Sequence, residues 1–481
     1  MGTSFAKRVY DVLPIVVQNA LCGLKGHHIL RTRYNSEFHE LLDWLRETEW
    51  WSFYRLRAYQ NEHLRRLIRH AYETVPFYRR VMQARGLTPE DVATVEDLPK
   101  LPIVDKETVR AAGKDMLSTA VRRWDSVPAH TGGTTGAGLR FRVSRLAEHL
   151  AWAVIWRTRC RFGVKLGDRQ GVFGGKDVVP LSQKQPPFWR FARPLNLTYF
   201  SIYHLKDEWL QAYVEQVERG QYELMTGYTS GLYVVADYLK RTGQRLHAAP
   251  RLVNPGSETL FPFQVEVFKE RFGGSVASLY AQGEGCAFMG TCEHGNYHED
   301  MELGVVEGIE VERLPEGRRC RIVGTALHNY AMPFIRYDTG DLATFSDERC
   351  ACGREAPVAK HIDGRVESYI ITPDGRKIGE LPFFQDMVNV VECQIVQDEL
   401  SVVDVNIVKS PEYGETDEKG IQDVLRAHVG PEMEIRIHYV DRVPRSKSGK
   451  IRLQVSRIEK RYLPGVDRIA PYMAEDPGKQ A

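Results

Sequence analysis

A run of glycine and threonine, TGGTTG at residues 131–136, has the composition of a loop that binds an anion. Such a loop offers backbone N–H groups and hydroxyls, which are donors that phosphate oxygens accept. It is not a Walker A motif, because no Lys-Ser or Lys-Thr pair follows the glycines. Taken alone, the run is more simply a β-hairpin turn before the strand that follows, so its meaning depends on the rest of the chain.

Four later stretches also contain residues that could take part in chemistry: YAQGEG at 280–285, IRYDTGD at 335–341, HIDGRVESY at 361–369 and PRSKSGKIR at 444–452. Each has an ordinary structural explanation by itself. Glu284 could be a solvated loop acid, Asp341 a turn former and Lys450 a surface charge. The order of a Gly/Thr loop, a glutamate, a turn aspartate, an arginine and a loop lysine is nevertheless hard to assign to chance.

This order of motifs resembles that of the acyl-adenylate-forming superfamily. The chain is similar to the phenylacetate–CoA ligase-like branch, in the subgroup associated with capsular and other polysaccharide genes. The stretches YQNEHLRRLIRHAYETVPFYRRV at 59–81 and EDLPKLPIVDKETVR at 96–110 carry the same resemblance, which covers nearly the whole chain. It implies an AMP-forming acid ligase that uses ATP and Mg²⁺ to activate a small carboxylic acid as an acyl-adenylate and then transfers the acyl group to CoA.

The resemblance implies roles for the Gly/Thr loop and for a later strand end. The phosphates of ATP are expected at the loop, with the Thr134 hydroxyl taking part in catalysis. The residues expected to bind the phosphates are Thr131, Gly133, Thr134, Thr135 and Gly136. Adenine is expected beside PGSETL at 255–260, through Ser257 and Glu258.

The remaining motifs complete the expected nucleotide site. Tyr280 is expected to lie on or beside adenine, Glu284 to hold Mg²⁺, and Asp341 to bind the ribose hydroxyls. Arg365 would reach ribose or phosphate, and Lys450 would neutralise the carboxylate and the α-phosphate in the transition state.

Two clusters of cysteine and histidine suggest a second metal site. CEHGNYH at 292–298 and CAC at 350–352 together offer the donors of a tetrahedral zinc site, although the spacing between them is long. Relatives in this branch often carry matching residues, which favours a structural Zn²⁺ held by Cys292, His298, Cys350 and Cys352, with His294 as the alternative to His298. The other explanation is a set of reduced thiols and hydrogen-bonded histidines.

The composition excludes several classes of protein. Of 481 residues, 65 are basic and 63 acidic, so the net charge of +2 gives no reason to expect nucleic acid as a partner. Eight scattered cysteines in a chain of this length fit a reducing compartment, and we predict a cytoplasmic location. The apolar segment VLPIVVQNALCGL at 12–24 imitates a signal sequence but is interrupted by Gln18 and Asn19. We expect a buried or surface-docked helix there, which leaves peripheral membrane association open.

The hydrophobic periodicity predicts an α/β (α+β) fold with two domains. Residues 1–364 would form a large N-terminal adenylate-forming domain of helix-flanked β-sheets, whose first 120 residues are a mostly helical leader. Residues 365–481 would form a small C-terminal α/β domain, which the resemblance implies is a mobile lid.

Three functions remain open at this level. Besides the CoA ligase, the adenylate could pass to an amine or sugar acceptor in polysaccharide biosynthesis. A third reading is a non-catalytic partner of a polysaccharide-assembly complex, because Gly283 and Ala281 replace a threonine and a glycine that are usual in the family. Relatives are often dimers, so a homodimer is also open.

Overall fold

The computed structural model of the protein describes residues 5–131, 139–365, 370–373, 377–378, 389–445, 451 and 453–458. The chain forms two compact units. The first comprises Met1–Asn35, Thr158–Leu279 and Asp363–Glu459, and the second comprises Ser36–Arg157, Tyr280–Ile362 and Lys460–Ala481. The chain leaves the second unit after Ile362 and enters the first at Asp363, beside the predicted domain boundary. The division into an N-terminal domain and a mobile lid stays a prediction.

The described residues form eleven α-helices, six short 3-10 helices and twenty-one strands. The α-helices are α1 (Phe5–Val12), α2 (Ile15–Thr32), α3 (Ser36–Thr48), α4 (Phe53–Thr74), α5 (Pro76–Ala84), α6 (Lys106–Ala112), α7 (Arg145–Arg161), α8 (Asp207–Gly220), α9 (Thr229–Arg241), α10 (Pro262–Arg271) and α11 (Glu415–Val429). Short 3-10 helices lie at Pro89–Asp91, Val95–Lys100, Gly113–Met116, Arg123–Asp125, Arg193–Leu195 and Ile202–His204.

The strands up to the middle of the chain are β1 (Ser126–His130), β2 (Arg140–Ser144), β3 (Gln170–Gly174), β4 (Trp189–Ala192), β5 (Leu197–Ser201), β6 (Leu224–Tyr228), β7 (Leu252–Gly256), β8 (Ser275–Val276), β9 (Leu279–Ala281), β10 (Phe288–Thr291) and β11 (Tyr297–Glu299). They continue with β12 (Gly304–Leu314), β13 (Gly317–Ala326), β14 (Tyr337–Ser346), β15 (Val358–Arg365), β16 (Ile370–Ile371), β17 (Lys377–Ile378), β18 (Val390–Glu399), β19 (Val402–Lys409), β20 (Glu434–Tyr439) and β21 (Gln454–Ser456).

The first unit contains a mostly parallel sheet in the order β7-β6-β3-β5-β4. β3 pairs in parallel with β5 and with β6, whereas β4 closes the edge as an antiparallel partner of β5. Parallel neighbours need crossover connections, which α8 and α9 supply between β5, β6 and β7. Buried aromatic residues fill the space between these helices and the sheet, and the rings of Phe173 and Phe200 stack with centroids 4.4 Å apart.

The second unit combines the early helices with antiparallel strands. Its strands follow the order β12-β13-β14-β15-β11-β10, and β1 pairs with β2 as a separate hairpin. α4 buries Leu64, Leu67, Ile68 and Ala71 at the three- and four-residue spacing of an amphipathic helix. The helix ends before Pro76, which takes the first position of α5, where its missing N–H costs no hydrogen bond.

The C-terminal part has a sheet of its own in the order β20-β19-β18-β21. β18 and β19 are antiparallel, while β20 and β21 add in parallel on either side. α11 packs its apolar residues Ile421, Leu425 and Val429 into the core of this sheet. The predicted α/β fold is therefore confirmed, and a C-terminal domain is present.

Within the described ranges, the structure has no helix whose length and apolarity together suffice to cross a bilayer.

Candidate functional site

Tyr280 and Asp341 lie in contact within the second unit. The Tyr280 hydroxyl donates to Asp341 Oδ2 at 2.8 Å. Asp341 follows a turn at Gly340, whose φ of +73° is readily adopted by glycine, and its N–H donates to the Thr339 hydroxyl at 3.1 Å. Burial, reinforced by the Asp341 carboxylate, holds the pKa of Tyr280 well above its ordinary range, so the phenol remains a donor. The structure thus brings two of the predicted nucleotide residues together.

Glu284 and Tyr337 form a second carboxylate–tyrosine pair in the same unit. The Tyr337 hydroxyl donates to Glu284 Oε1 at 2.8 Å, and Glu284 is buried. Burial and then the Glu284 carboxylate raise the pKa of Tyr337, which keeps this phenol protonated as well. Tyr337 begins the strand that carries Asp341, so β14 supplies one member of each pair.

Sequence analysis assigned no role to Tyr337 or to the arginine before it. Arg336 has a φ of +51°, which is unusual for a residue with a side chain. Its buried guanidinium pairs with Glu307 at 2.9 Å and donates to the Leu101 carbonyl at 2.5 Å. This anchoring fixes the backbone where Tyr337 begins. The only sequence signal for either residue was its place inside IRYDTGD, because their partners are far away in the chain.

The ends of the Gly/Thr loop are tied to each other. The Thr131 hydroxyl accepts from the Leu139 N–H at 2.9 Å, and the Thr131 N–H donates to the Leu139 carbonyl at 2.9 Å. β1 and β2 continue this pairing with His130 opposite Arg140. A Cβ placed on Gly283 would lie 3.7 Å from Thr131 Cγ2, so the YAQGEG stretch adjoins this loop neck. Gly133, Thr134, Thr135 and Gly136 lie outside the described residues.

Glu258 lies in the first unit, at the end of β7. Its carboxylate accepts from the Ser230 N–H at 2.7 Å and from the Ser230 hydroxyl at 3.1 Å, at the beginning of α9. It also accepts from the Ile451 N–H at 3.0 Å. Ser257 beside it has a φ of +64°, which marks a tight bend. The adenine contact expected of Ser257 and Glu258 stays a prediction; the observed contacts tie α9 to the residue after Lys450.

A second tie holds the other end of the PRSKSGKIR stretch. Arg445 and Ile451 form an isolated antiparallel bridge. Arg445 pairs with Glu392 at 2.5 Å, both side chains being at most 10% exposed, and Glu392 also accepts from the Val443 N–H at 3.0 Å. These contacts hold Arg445 and Ile451, whereas Lys450 lies outside the described residues. Arg365 ends β15, and nothing is described of its side chain.

The predicted zinc ligands converge in the second unit. The donor atoms of Cys292, His298, Cys350 and Cys352 all lie within 4.8 Å of one another. The Cys292 and Cys350 sulfurs are 3.6 Å apart, and Cys352 Sγ is 3.3 Å from His298 Nε2. Two sulfurs in a tetrahedral zinc site with bonds of about 2.3 Å lie about 3.8 Å apart, so this donor set fits the ion. His294 is exposed and is not part of the cluster.

Tight turns and a short hairpin create this cluster. The Gly295 N–H donates to the Cys292 carbonyl at 2.9 Å, with a φ of +79° at Gly295, and His298 follows on β11. His298 Nδ1 is 3.2 Å from the Ala356 carbonyl, which directs Nε2 toward the sulfurs.

The two sulfurs of the closest pair differ in acidity. Burial raises the pKa of Cys292 to about 11. For Cys350, burial is outweighed by hydrogen bonds from the Cys352 N–H and the Asn296 amide, which lower the pKa. The Asn296 amide donates to Cys350 Sγ at 3.2 Å, as an outer-shell partner of a thiolate ligand would.

Comparison with known proteins identifies relatives of this chain. Residues 370–457 match the model of the CapK C-terminal domain. The chain is 24% identical to Protein CapK of Staphylococcus aureus over 94% of this chain and 99% of that protein. It is 27% identical to phenylacetate-coenzyme A ligase of Thermus thermophilus over 66% of this chain and 72% of the ligase.

A solved structure shares the fold. That of 2-hydroxyisobutyryl-CoA ligase, in the postadenylation state in complex with R3-HIB-AMP, aligns with a TM-score of 0.67 at 16% identity, covering 85% of this chain and 91% of that one. These relatives confirm the predicted resemblance to phenylacetate–CoA ligase-like, CapK-associated proteins.

Proposed function

We propose that the protein is an ATP-dependent acid ligase that makes an acyl-adenylate and then an acyl-CoA thioester. The observation that carries the proposal is the pair of buried carboxylates, Asp341 and Glu284, each held by a tyrosine within one compact unit. A nucleotide and Mg²⁺ both need binding groups that are held in place before the ligand arrives. The two tyrosines hold the carboxylate oxygens in this way.

In the first half-reaction, an oxygen of the substrate carboxylate attacks the α-phosphorus of ATP, and the bond from that phosphorus to pyrophosphate breaks. We assign Asp341 to the ribose hydroxyls, because a carboxylate can accept from two neighbouring hydroxyls. Tyr280 positions Asp341 through its hydrogen bond, and we assign its ring to the adenine base. Lys450 would place its ammonium between the attacking carboxylate and the α-phosphate, where negative charge accumulates.

Glu284 is the residue that would hold Mg²⁺. Its carboxylate offers the hard oxygen that this ion prefers, and Tyr337 fixes its orientation. When bound, the ion would offset the charge of the phosphates.

In the second half-reaction, the sulfur of CoA attacks the acyl carbon, the thiol loses its proton, and AMP leaves with the electrons of the acyl–oxygen bond. Lys450 is not needed for this step. We assign Glu258 and Glu392 as positioning residues, because Glu258 contacts Ile451 and Glu392 contacts Arg445, one residue on each side of Lys450 in the sequence. These contacts are non-covalent, so they can hold the backbone during the first step and break afterwards.

A structural Zn²⁺ at Cys292, His298, Cys350 and Cys352 completes the proposal. Held there, the ion would pin the turn after β10 to the turn at 350–353 within the second unit. Arg354, next to this turn, pairs with Glu49 at 2.9 Å and Glu293 at 2.8 Å, so the loops are also joined by charge.

Exchange of labelled pyrophosphate into ATP tests the function directly. The purified protein is assayed with aryl acids, fatty acids, amino acids and uronic acids, followed by CoA or amines as acceptors. We expect exchange with at least one acid and a loss of about a hundredfold or more in Lys450→Ala. Lys447→Ala removes the same charge from the same stretch and should retain exchange. Nucleotide binding without exchange across the whole panel would contradict the proposal.

Metal analysis of the purified protein tests the zinc site independently. We expect about one equivalent of Zn²⁺, lost in Cys292→Ser and retained in Cys320→Ser, which changes another buried cysteine outside the cluster. A protein that binds no zinc after purification in its presence would disprove the site without affecting the adenylation proposal.

A further inference from the structure

The first two helices expose a set of apolar side chains that lie close together in the sequence. Fifteen large hydrophobic residues of the described chain are exposed, and seven of them lie within twenty residues of sequence. We call this set the outer face; it consists of Phe5, Val9, Val12, Val16, Val17, Leu21 and Leu24. Phe5 and Val12 are each 83% exposed, Val16 is 79% exposed and Leu24 is 66% exposed. Scattered apolar residues are normal on a surface, but a cluster of this density marks an interaction site.

Helical spacing explains how α1 and α2 present this face. Phe5, Val9 and Val12 recur at four- and three-residue intervals on α1, and Val17, Leu21 and Leu24 do the same on α2. The predicted helix at 12–24 is therefore divided at Pro14, which precedes α2 and lets both helices keep an apolar outer side.

The opposite side of both helices is firmly held by the first unit. The Tyr10 hydroxyl donates to the Val178 carbonyl at 2.6 Å. The buried amide of Gln18 accepts from Arg190 Nε at 2.6 Å, and Asn19 accepts from the Phe191 N–H at 2.9 Å. Gly26 packs beside Pro194 and Leu195. Since the inner side is anchored by specific bonds, the exposure of the outer face is a property of the folded unit.

The charge of these helices indicates the kind of partner. Residues 5–33 contain five basic residues, Lys7, Arg8, Lys25, Arg31 and Arg33, and one acidic residue, Asp11, which gives a net charge of +4. The whole chain has a net charge of +2, so everything outside this segment sums to −2. Arg8, Lys25 and Arg31 are exposed alongside the outer face. Positive charge is thus concentrated where the apolar side chains are.

We propose that α1 and α2 dock the protein onto an anionic lipid bilayer, lying parallel to its surface. Apolar side chains of an interfacial helix enter the boundary between headgroups and acyl chains, while neighbouring lysines and arginines contact lipid phosphates. A second copy of the chain fits less well, because two outer faces brought together would also bring together two segments of +4 charge.

Co-sedimentation of the full chain with vesicles tests the proposal. We expect binding to vesicles of equal parts phosphatidylglycerol and phosphatidylcholine, and binding at least about tenfold weaker to phosphatidylcholine alone. The triple variant Val12→Ser, Val16→Ser, Leu24→Ser keeps the charge and should lose about tenfold or more of the binding. Its matched control, Leu181→Ser, Val311→Ser, Leu400→Ser, removes three exposed apolar side chains elsewhere and should bind as the unmodified protein does.

Charge is tested separately by Arg8→Gln, Lys25→Gln, Arg31→Gln, which should abolish the preference for phosphatidylglycerol. Because every substituted side chain is exposed, all variants should keep the circular dichroism and melting temperature of the parent. Equal binding to both vesicle types, or binding by none, would overturn the proposal. So would a change from dimer to monomer in the serine variant in sedimentation without vesicles, because it would show that a second copy covers the outer face.

Discussion

The two loops expected to act on ATP are closed by different kinds of contact. The Gly/Thr loop is closed by the Thr131 hydroxyl and by backbone hydrogen bonds to Leu139, which are neutral groups continuing a β-hairpin. The lysine stretch is closed by carboxylates: Glu392 pairs with Arg445, and Glu258 accepts from Ile451. Neutral hydrogen bonds each contribute about 1 kcal/mol, whereas a charged group left buried without its partner costs several times more.

This difference fits the proposed functions of the loops. A phosphate-binding loop holds whichever nucleotide is present and needs a constant shape. The proposed function uses Lys450 in one half-reaction only, so the contacts at Arg445 and Ile451 must be strong while they last and must form or break as a set. Buried charge pairs form and break together, because a buried charge that loses its partner is strongly destabilising.

The largest effect is expected from Glu392→Gln, which leaves the Arg445 guanidinium buried without its carboxylate. We expect the free energy of unfolding to fall by about 3 kcal/mol, measured by urea denaturation. Pyrophosphate exchange should fall more than CoA transfer from added acyl-adenylate, because only the first step needs Lys450. Glu434→Gln removes the carboxylate of a salt bridge with Arg436 at the surface and serves as the control. Equal losses in both half-reactions would contradict a positioning role.

A smaller effect is expected from Glu258→Gln. The amide keeps one acceptor oxygen but loses the charge that strengthens the bonds from Ser230 and Ile451. We expect pyrophosphate exchange to slow by about tenfold, with the KM for ATP changed less. Glu266→Gln, on the exposed face of α10, is the matched control. If the KM for ATP rises instead, Glu258 contacts the nucleotide, as the family resemblance originally predicted.

Thr131→Val should be milder still, because the backbone pair between residues 131 and 139 remains. Losing the hydroxyl that accepts from the Leu139 N–H should weaken ATP binding by about 1 kcal/mol. This corresponds to roughly a fivefold rise in the KM for ATP. Thr131→Ser keeps the oxygen and should restore the parent value. If Thr131→Val lost as much pyrophosphate exchange as Glu392→Gln, the proposed contrast between the two loops would not hold.

The smallest effect is expected at Gly283. A Cβ here would meet Thr131 and Phe141 at 3.7 Å, which is ordinary van der Waals contact, so Gly283→Thr should fold normally. It introduces the hydroxyl that is usual in the family, and we expect a gain of a few fold in pyrophosphate exchange, corresponding to about one hydrogen bond. Gly283→Ala tests the added bulk alone. A gain with alanine would assign the effect to packing rather than to the hydroxyl.

Much of the fold could be predicted because it rests on local periodicity. The strands at 170–174, 197–201, 224–228 and 252–256 coincide with short apolar runs, and such local patterns predict the α/β fold class. β4, at Trp189–Ala192, was not predicted. Its short antiparallel edge pairing is set by β5 and not by its own pattern.

In the candidate site, too, some residues could be predicted from the sequence and others could not. Asp341 and Glu284 could be chosen from motif order, but their partners could not, since Tyr280 is 61 residues from Asp341 and Tyr337 is 53 residues from Glu284. The sequence favoured His298 with His294 as the alternative, and the structure brings His298 to the cysteines. Both lie in CEHGNYH, and only pairing of β10 with β11 turns His298 toward the cysteines.

The sequence by itself determined which residue types are available and in what order, and therefore the family resemblance, the fold class and the candidate chemistry. Those features depend on side-chain composition and on spacing of a few residues, which a linear pattern records. The tertiary structure alone decided which groups meet: the tyrosine on each carboxylate, the glutamates that contact Arg445 and Ile451, and the outer face that α1 and α2 leave exposed. These contacts join residues that are distant in the chain, and the free energy that selects them comes from burial and pairing in the folded protein.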